Sequence, residues 1–154
     1  MVINSETEWI ERRLSLGTVA QWSANEIRLI SELAFNLSEQ GRNEEAIRLF
    51  EGLHTLAPAT IYFQSALGSL YLRVGMLDKA IEYLTKVLND TPDDLASRIN
   101  RGEAFLRLGE MEKAKDDLEI VSNQTANNSD NVSKMSVTRA KALYYSIENK
   151  TFKI

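Results

Sequence analysis

The sequence contains no cysteine, which removes disulfides, thiolate metal sites and cysteine nucleophiles together and fits a reducing compartment. Its two prolines and seven glycines are too few for the many turns of an all-β chain and favour helix. The one histidine, His54, has no nucleophile or orienting carboxylate spaced to make it a catalytic base, and reads as a partly buried structural residue. No apolar run approaches the roughly 20 residues needed to cross a membrane. The start, "MVINSETEWIERRL", carries acids where a signal peptide would be apolar. A net charge of −4 without a basic cluster argues against nucleic acid. The acids of "NDTPDDL" (89–95) lack the alternating ligands and closing glutamate of a calcium loop, and suit helix capping instead. No glycine-rich phosphate loop occurs. These absences lead us to expect a soluble, cytoplasmic, non-enzymatic chain with no cofactor and no metal.

What the sequence does contain is repetition. The stretches "GRNEEAIRLF" (41–50), "GMLDKAIEYL" (75–84) and "GEMEKAKDDL" (109–118) stand 34 residues apart. In that frame Ala34, Gly68 and Gly102 share one column, Gly41, Gly75 and Gly109 a second, and Ala46, Ala80 and Ala114 a third. Large apolar residues fill three more columns: Leu37, Tyr71 and Phe105; Phe50, Leu84 and Leu118; Leu53, Val87 and Val121. Each unit resolves into a helix A and a helix B. In the second unit Leu67, Gly68 and Tyr71 lie on one face of helix A, and Ala80, Ile81, Leu84, Val87 and Leu88 form the apolar stripe of helix B. The intervening glycine suits the positive φ of a helix C-terminus. Pro58 and Pro92 follow helix B, where they end one unit and begin the next.

Small, aromatic, Gly, Ala, large apolar, small apolar and Pro at fixed offsets in 34 residues resemble the tetratricopeptide repeat. The resemblance covers residues 27 to about 125, and the unit 61–94 matches best. It implies an all-α fold: a three-repeat superhelix (an α-α solenoid) with an N-terminal helix and a C-terminal capping helix. The expected layout is an N-terminal helical segment (1–26), units at 27–60, 61–94 and 95–121, a polar linker (122–133), and a capping helix with its tail (134–154). Ser5 with Glu8, and Ser23 with Glu26, form two expected capping boxes. The capping helix carries Ala140, Leu143, Tyr144 and Ile147 on one face. Arg98, Arg101 and Lys115 stand where the other units are mostly apolar or neutral, and read as the polar outer face of a terminal repeat.

Stacked helix pairs leave a concave side lined by helix A. A +3, +4, +3 step places Arg28, Ser31, Phe35 and Ser38 there in unit one, and Tyr62, Ser65, Ser69 and Leu72 in unit two. In unit three the same step gives Ala96, Ile99, Glu103 and Leu106. Apolar surface, small hydroxyls and only two charges suit an extended, partly apolar peptide. The clamp by which tetratricopeptide adaptors grip chaperone C-termini would need Lys, Asn and Arg at Ser31, Phe35, Ala66, Ala96 and Asn100. All five differ, so no cation is left at those positions for a terminal carboxylate.

The run "NEIRLISELAFNLSEQGRNEEAIRLFEGL" (25–53) resembles the first repeat of the class II chaperones of type III secretion, and the overall plan is similar to theirs. Units two and three, with "DTPDD" and "LRLGEMEKA", sit closer to the general repeat consensus. The resemblance implies a bacterial cytoplasmic chaperone that holds an extended segment of an apolar secreted translocator in its concave groove. It also implies self-association through the N-terminal region, with Trp9, Ile10, Leu14 and Trp22 as candidates, giving a homodimer. A general repeat scaffold for another complex, or a structural homo-oligomer, are the alternatives.

Overall fold

A computed structural model describes residues 22–123 and 131–149. Seven helices, and no strand, occur among the described residues: α1 (Ala24–Glu39), α2 (Asn43–Leu56), α3 (Ile61–Arg73), α4 (Leu77–Asp90), α5 (Leu95–Leu108), α6 (Met111–Ser122) and α7 (Asn131–Glu148). The first capping box, with Trp9, Ile10 and Leu14, lies outside the described residues, as does most of the expected linker.

Local chemistry sets the helix ends. Ser23 Oγ accepts from the Glu26 amide while the Glu26 carboxylate accepts from the Ser23 amide, so the second capping box opens α1. Asp94 caps α5 by accepting from the Ala96 amide and the Ser97 hydroxyl. Gly41, Gly75 and Gly109 take φ of 76°, 80° and 82° in the turns between A and B helices, a region that side-chain-bearing residues enter only at a cost.

The helices pack in sequence, α1 on α2, α2 on α3 and so on to α7 on α6, with α3 also against α5 and α5 against α7. Ala46, Ala80 and Ala114 are all fully buried, as their column requires when two backbones approach closely. One core joins α1 to α4 through Phe50, Leu53, Leu67, Tyr71 and Leu84. A second joins α5, α6 and α7 through Ile99, Leu118, Val121, Val137 and Ala140, with Leu143, Tyr144 and Ile147 packed against it. The capping helix therefore stands to α5 and α6 as α5 stands to α3 and α4. It occupies the place of a fourth helix A.

This arrangement changes the reading of the third unit. Arg98 and Arg101 do not form an outer face. They turn inward onto Asp117, which is 2% exposed, in an ion-paired triad between α5 and α6. Lys115 pairs with Glu148 of α7 at 2.8 Å and lies over the Tyr144 ring. The polar residues serve contacts inside and beyond the unit because α7 covers the face that would otherwise meet water. At the opposite end Leu29 and Leu33 are 57% and 52% exposed, although the equivalent Phe63 and Leu67 of α3 are buried. Helix α2 covers that face of α3, and no helix B precedes α1 among the described residues.

His54 lies in α2 with its ring 5.5 Å from that of Tyr83, edge to face. Its Nδ1 is buried without a partner among the described residues. Burial, with Lys86 adding to it, pushes the imidazole below its ordinary value near 6.5. Because the folded form holds the proton less well than the unfolded form, stability is complete above that value and falls as pH drops below it. Urea unfolding between pH 7.5 and 5.5 is expected to show this decline, with a smaller one in His54→Gln. Equal slopes for both proteins would remove His54 as its source.

Candidate functional site

The concave row is built by α1, α3, α5 and α7. Arginines fix the spacing between neighbouring A helices: Arg107 Nη1 donates to the Leu72 carbonyl at 2.8 Å, and Arg73 Nη1 to the Ser38 carbonyl at 3.4 Å. Each cation sits at the C-terminal end of the preceding A helix, on a carbonyl that also accepts from the amide of Gly75 or Gly41, where the helix dipole favours positive charge.

Between α1 and α3 this spacing leaves a cavity of about 200 Å³. Phe35 and Tyr62 form its rim, Ser38, Ser65 and Ser69 its polar wall, and Phe50 its floor. Phe50 is almost completely buried, whereas Phe35 and Tyr62 are each 50% exposed. The Tyr62 ring is held edge-on to Phe50 at 6.0 Å and to Phe63 at 5.9 Å, so the exposed ring is set in place by buried ones. A shallower cleft continues along α1 past Ser31, Glu32 and Asn36, sharing Phe35 and Tyr62. Glu39 and Arg73 also line the cavity. The step along helix A did not include them, because it advanced three residues from Phe35 and Ser69, to Ser38 and Leu72, where four reaches Glu39 and Arg73.

Beyond the cavity the row becomes polar. Ser69 Oγ accepts from Asn100 Nδ2 at 3.0 Å, and Asn100 Oδ1 accepts from Arg139 Nη1 of α7 at 3.0 Å. Arg139 Nη2 also donates to Glu103. Ser65 and Ser97 approach at 3.4 Å. No cluster of three His, Cys, Asp or Glu residues suited to a metal occurs among the described residues.

The expected groove residues thus separate into three sets. Phe35, Ser38, Tyr62, Ser65 and Ser69 meet around one cavity, with Ser31 in the adjoining cleft. Arg28 is exposed near the start of α1 and paired with Glu32, and Glu103 lies at the far end against Arg139. Leu72, Ile99 and Leu106 are not on the groove surface. Leu72 belongs to the first core and lies where α5 reaches across α3. Ile99 is covered by Val137 and Ala140 of α7. Leu106, 34 residues on from Leu72, is fully buried. Asn100 and Arg139 escaped the sequence reading of the groove. Asn100 was weighed only as a clamp cation, and Arg139 enters the groove only because α7 docks as a fourth helix A. Trp22 is exposed ahead of α1. No helix among the described residues is long and apolar enough to cross a membrane.

Residues 65–99 match the tetratricopeptide repeat family model. No curated protein matches the chain. Solved structures do. The type III secretion chaperone SycD of Yersinia enterocolitica, in complex with a peptide of the translocator YopD, superposes with a TM-score of 0.74 at 24% identity, covering 84% of this chain and 98% of its own. PcrH from Pseudomonas aeruginosa gives a TM-score of 0.73 at 17% identity over 82% and 95% of the two chains. A type III secretion complex from Aeromonas hydrophila gives 0.77 at 19% identity over 97% and 98%. The chain has the tetratricopeptide-repeat fold, in a form similar to that of the type III secretion chaperones SycD and PcrH.

Proposed function

We propose that the chain is a non-enzymatic chaperone that holds an extended segment of a type III secretion translocator in its concave groove. The observation that carries this reading is the pair of half-exposed aromatic rings, Phe35 and Tyr62, around a cavity between α1 and α3. An exposed ring held by buried ones, as Tyr62 is by Phe50 and Phe63, makes a preorganised apolar site, which binds without first having to be ordered. Its size suits one side chain of an extended peptide rather than a folded surface. The solved complexes of SycD with a YopD peptide, and of PcrH with the chaperone-binding regions of PopD and PopB, support a client of this kind. On the same reading the chain holds its client in the bacterial cytoplasm until the client is exported, and self-associates through the N-terminal region, with Trp22 as the described candidate.

The test is recovery of the client from the native host with wild-type, Phe35→Ala and Tyr62→Ala chains, followed by affinity measurement on the purified client. Each substitution is expected to weaken binding about tenfold or more. Melting should fall by no more than about 8 °C, the effect of roughly 1–2 kcal/mol, because each ring buries only half of its surface. A secreted apolar protein that binds wild type and is lost from both variants supports the chaperone. A partner retained equally by all three would move the function off the groove.

A further inference from the structure

The hydrogen bonds around Asn100 leave a specific capacity unused. A carboxamide has two N–H donors and two acceptor lone pairs. One N–H goes to Ser69 and one lone pair to Arg139. Because a guanidinium can only donate, the Asn100 oxygen must face Arg139, and the amide cannot be turned over. Arg139 is itself held by Glu103. No other hydrogen bond to the Asn100 side chain occurs among the described residues, and that side chain is only half-buried. What remains is one N–H and one lone pair on a carboxamide whose orientation the two bonds hold. One residue of an extended chain presents a C=O and an N–H, their complement. Ser69, the partner of Asn100, is itself a wall of the apolar cavity.

We infer that Asn100 reads the main chain of the bound segment next to its apolar anchor, and that Arg139 of α7 is the positioning residue that holds Asn100 in register. The inference rests on the groove reading above. It gives α7 a role in recognition besides covering the second core. It also names a requirement on the client: the residue read by Asn100 has a free amide, so proline is excluded there. Apolar side chains alone would not impose that rule.

Overlapping 12-residue peptides tiled across YopD, PopD and PopB supply the probes. The tightest binder is resynthesised with one backbone N-methyl at each position in turn. Binding is then measured to wild type, Phe35→Ala, Asn100→Ala, Arg139→Ala and Arg139→Lys. One N-methyl position is expected to weaken wild-type binding about tenfold. The same modification should cost Asn100→Ala less than about twofold, since the bond it removes is already gone. Arg139→Ala is expected to shrink the N-methyl penalty in the same way, and Arg139→Lys to restore part of it. A structural role for either residue would lower affinity for every probe alike and leave the penalty intact.

If the penalty is the same in wild type and Asn100→Ala while Phe35→Ala still weakens binding, the main-chain role of Asn100 is overturned and the groove stands. If no tile binds wild type, or Phe35→Ala binds as well as wild type, the groove reading falls and this inference falls with it.

Discussion

Replacing Asp117 with alanine is expected to lower stability by about 3–5 kcal/mol, a large share of the roughly 5–15 kcal/mol that holds a domain of this size together. Arg101 donates to Asp117 through Nε and Nη2, both at 2.7 Å, and Arg98 approaches it at 3.4 Å. The two guanidinium side chains are only 19% and 14% exposed. Removing the carboxylate leaves both cations partly desolvated and facing each other, and the bonds of Arg101 to Thr85 and of Arg98 to the Pro92 carbonyl do not neutralise them.

The repeat itself supplies the control. At the equivalent places unit two carries Gln64, Leu67 and Tyr83, and Gln64 donates to the Pro58 carbonyl as Arg98 does to that of Pro92. The triple variant Arg98→Gln/Arg101→Leu/Asp117→Tyr is therefore expected to regain most of the loss, since a packed apolar contact serves at least as well as a buried ion triad. Guanidinium titration of wild type, single and triple variants measures both changes. An Asp117→Ala midpoint close to wild type would show that the arginines relax into water and that the triad is peripheral.

Gly68→Val is expected to cost about 3 kcal/mol or more. A Cβ at Gly68 would lie 2.6 Å from Leu84 Cγ and 2.7 Å from Cδ2, and Leu84 is fully buried with no room to step aside. The close approach of α3 and α4 depends on that missing atom. A graded series sharpens the test. A Cβ at Gly102 would meet Leu118 at 2.9 Å and 3.0 Å, so Gly102→Ala should be milder than Gly68→Ala, while both gain similar helix propensity, about 1 kcal/mol. Thermal melts of the two alanine variants decide the point. If Gly102→Ala melts lower than Gly68→Ala, helix approach is not what these glycines serve.

Much of the fold could be read before any coordinates. The column of Ala46, Ala80 and Ala114, the turn glycines, the prolines after α2 and α4, and the capping box at Ser23 all report conditions satisfied within one helix pair. The outward placement of Phe35 and Tyr62 was legible for the same reason: the helical period alone assigns a residue to a face of its own helix. The period does not say what stands opposite that face. Leu72, Ile99 and Leu106 share the phase of the groove residues, yet all three are buried, Leu72 where α5 reaches across and Ile99 beneath α7. Arg98 and Arg101 look like surface charges until Asp117, 16 residues beyond Arg101, is folded against them. Arg139 lies in a segment with no repeat signature and reaches Asn100 only because α7 docks as a fourth helix A. The sequence by itself determined the units, their ends and the faces of their helices. Tertiary structure decided which faces stay open, because exposure and ion pairing depend on the neighbouring helix, whose approach is set by packing across units rather than by the residues of any one of them.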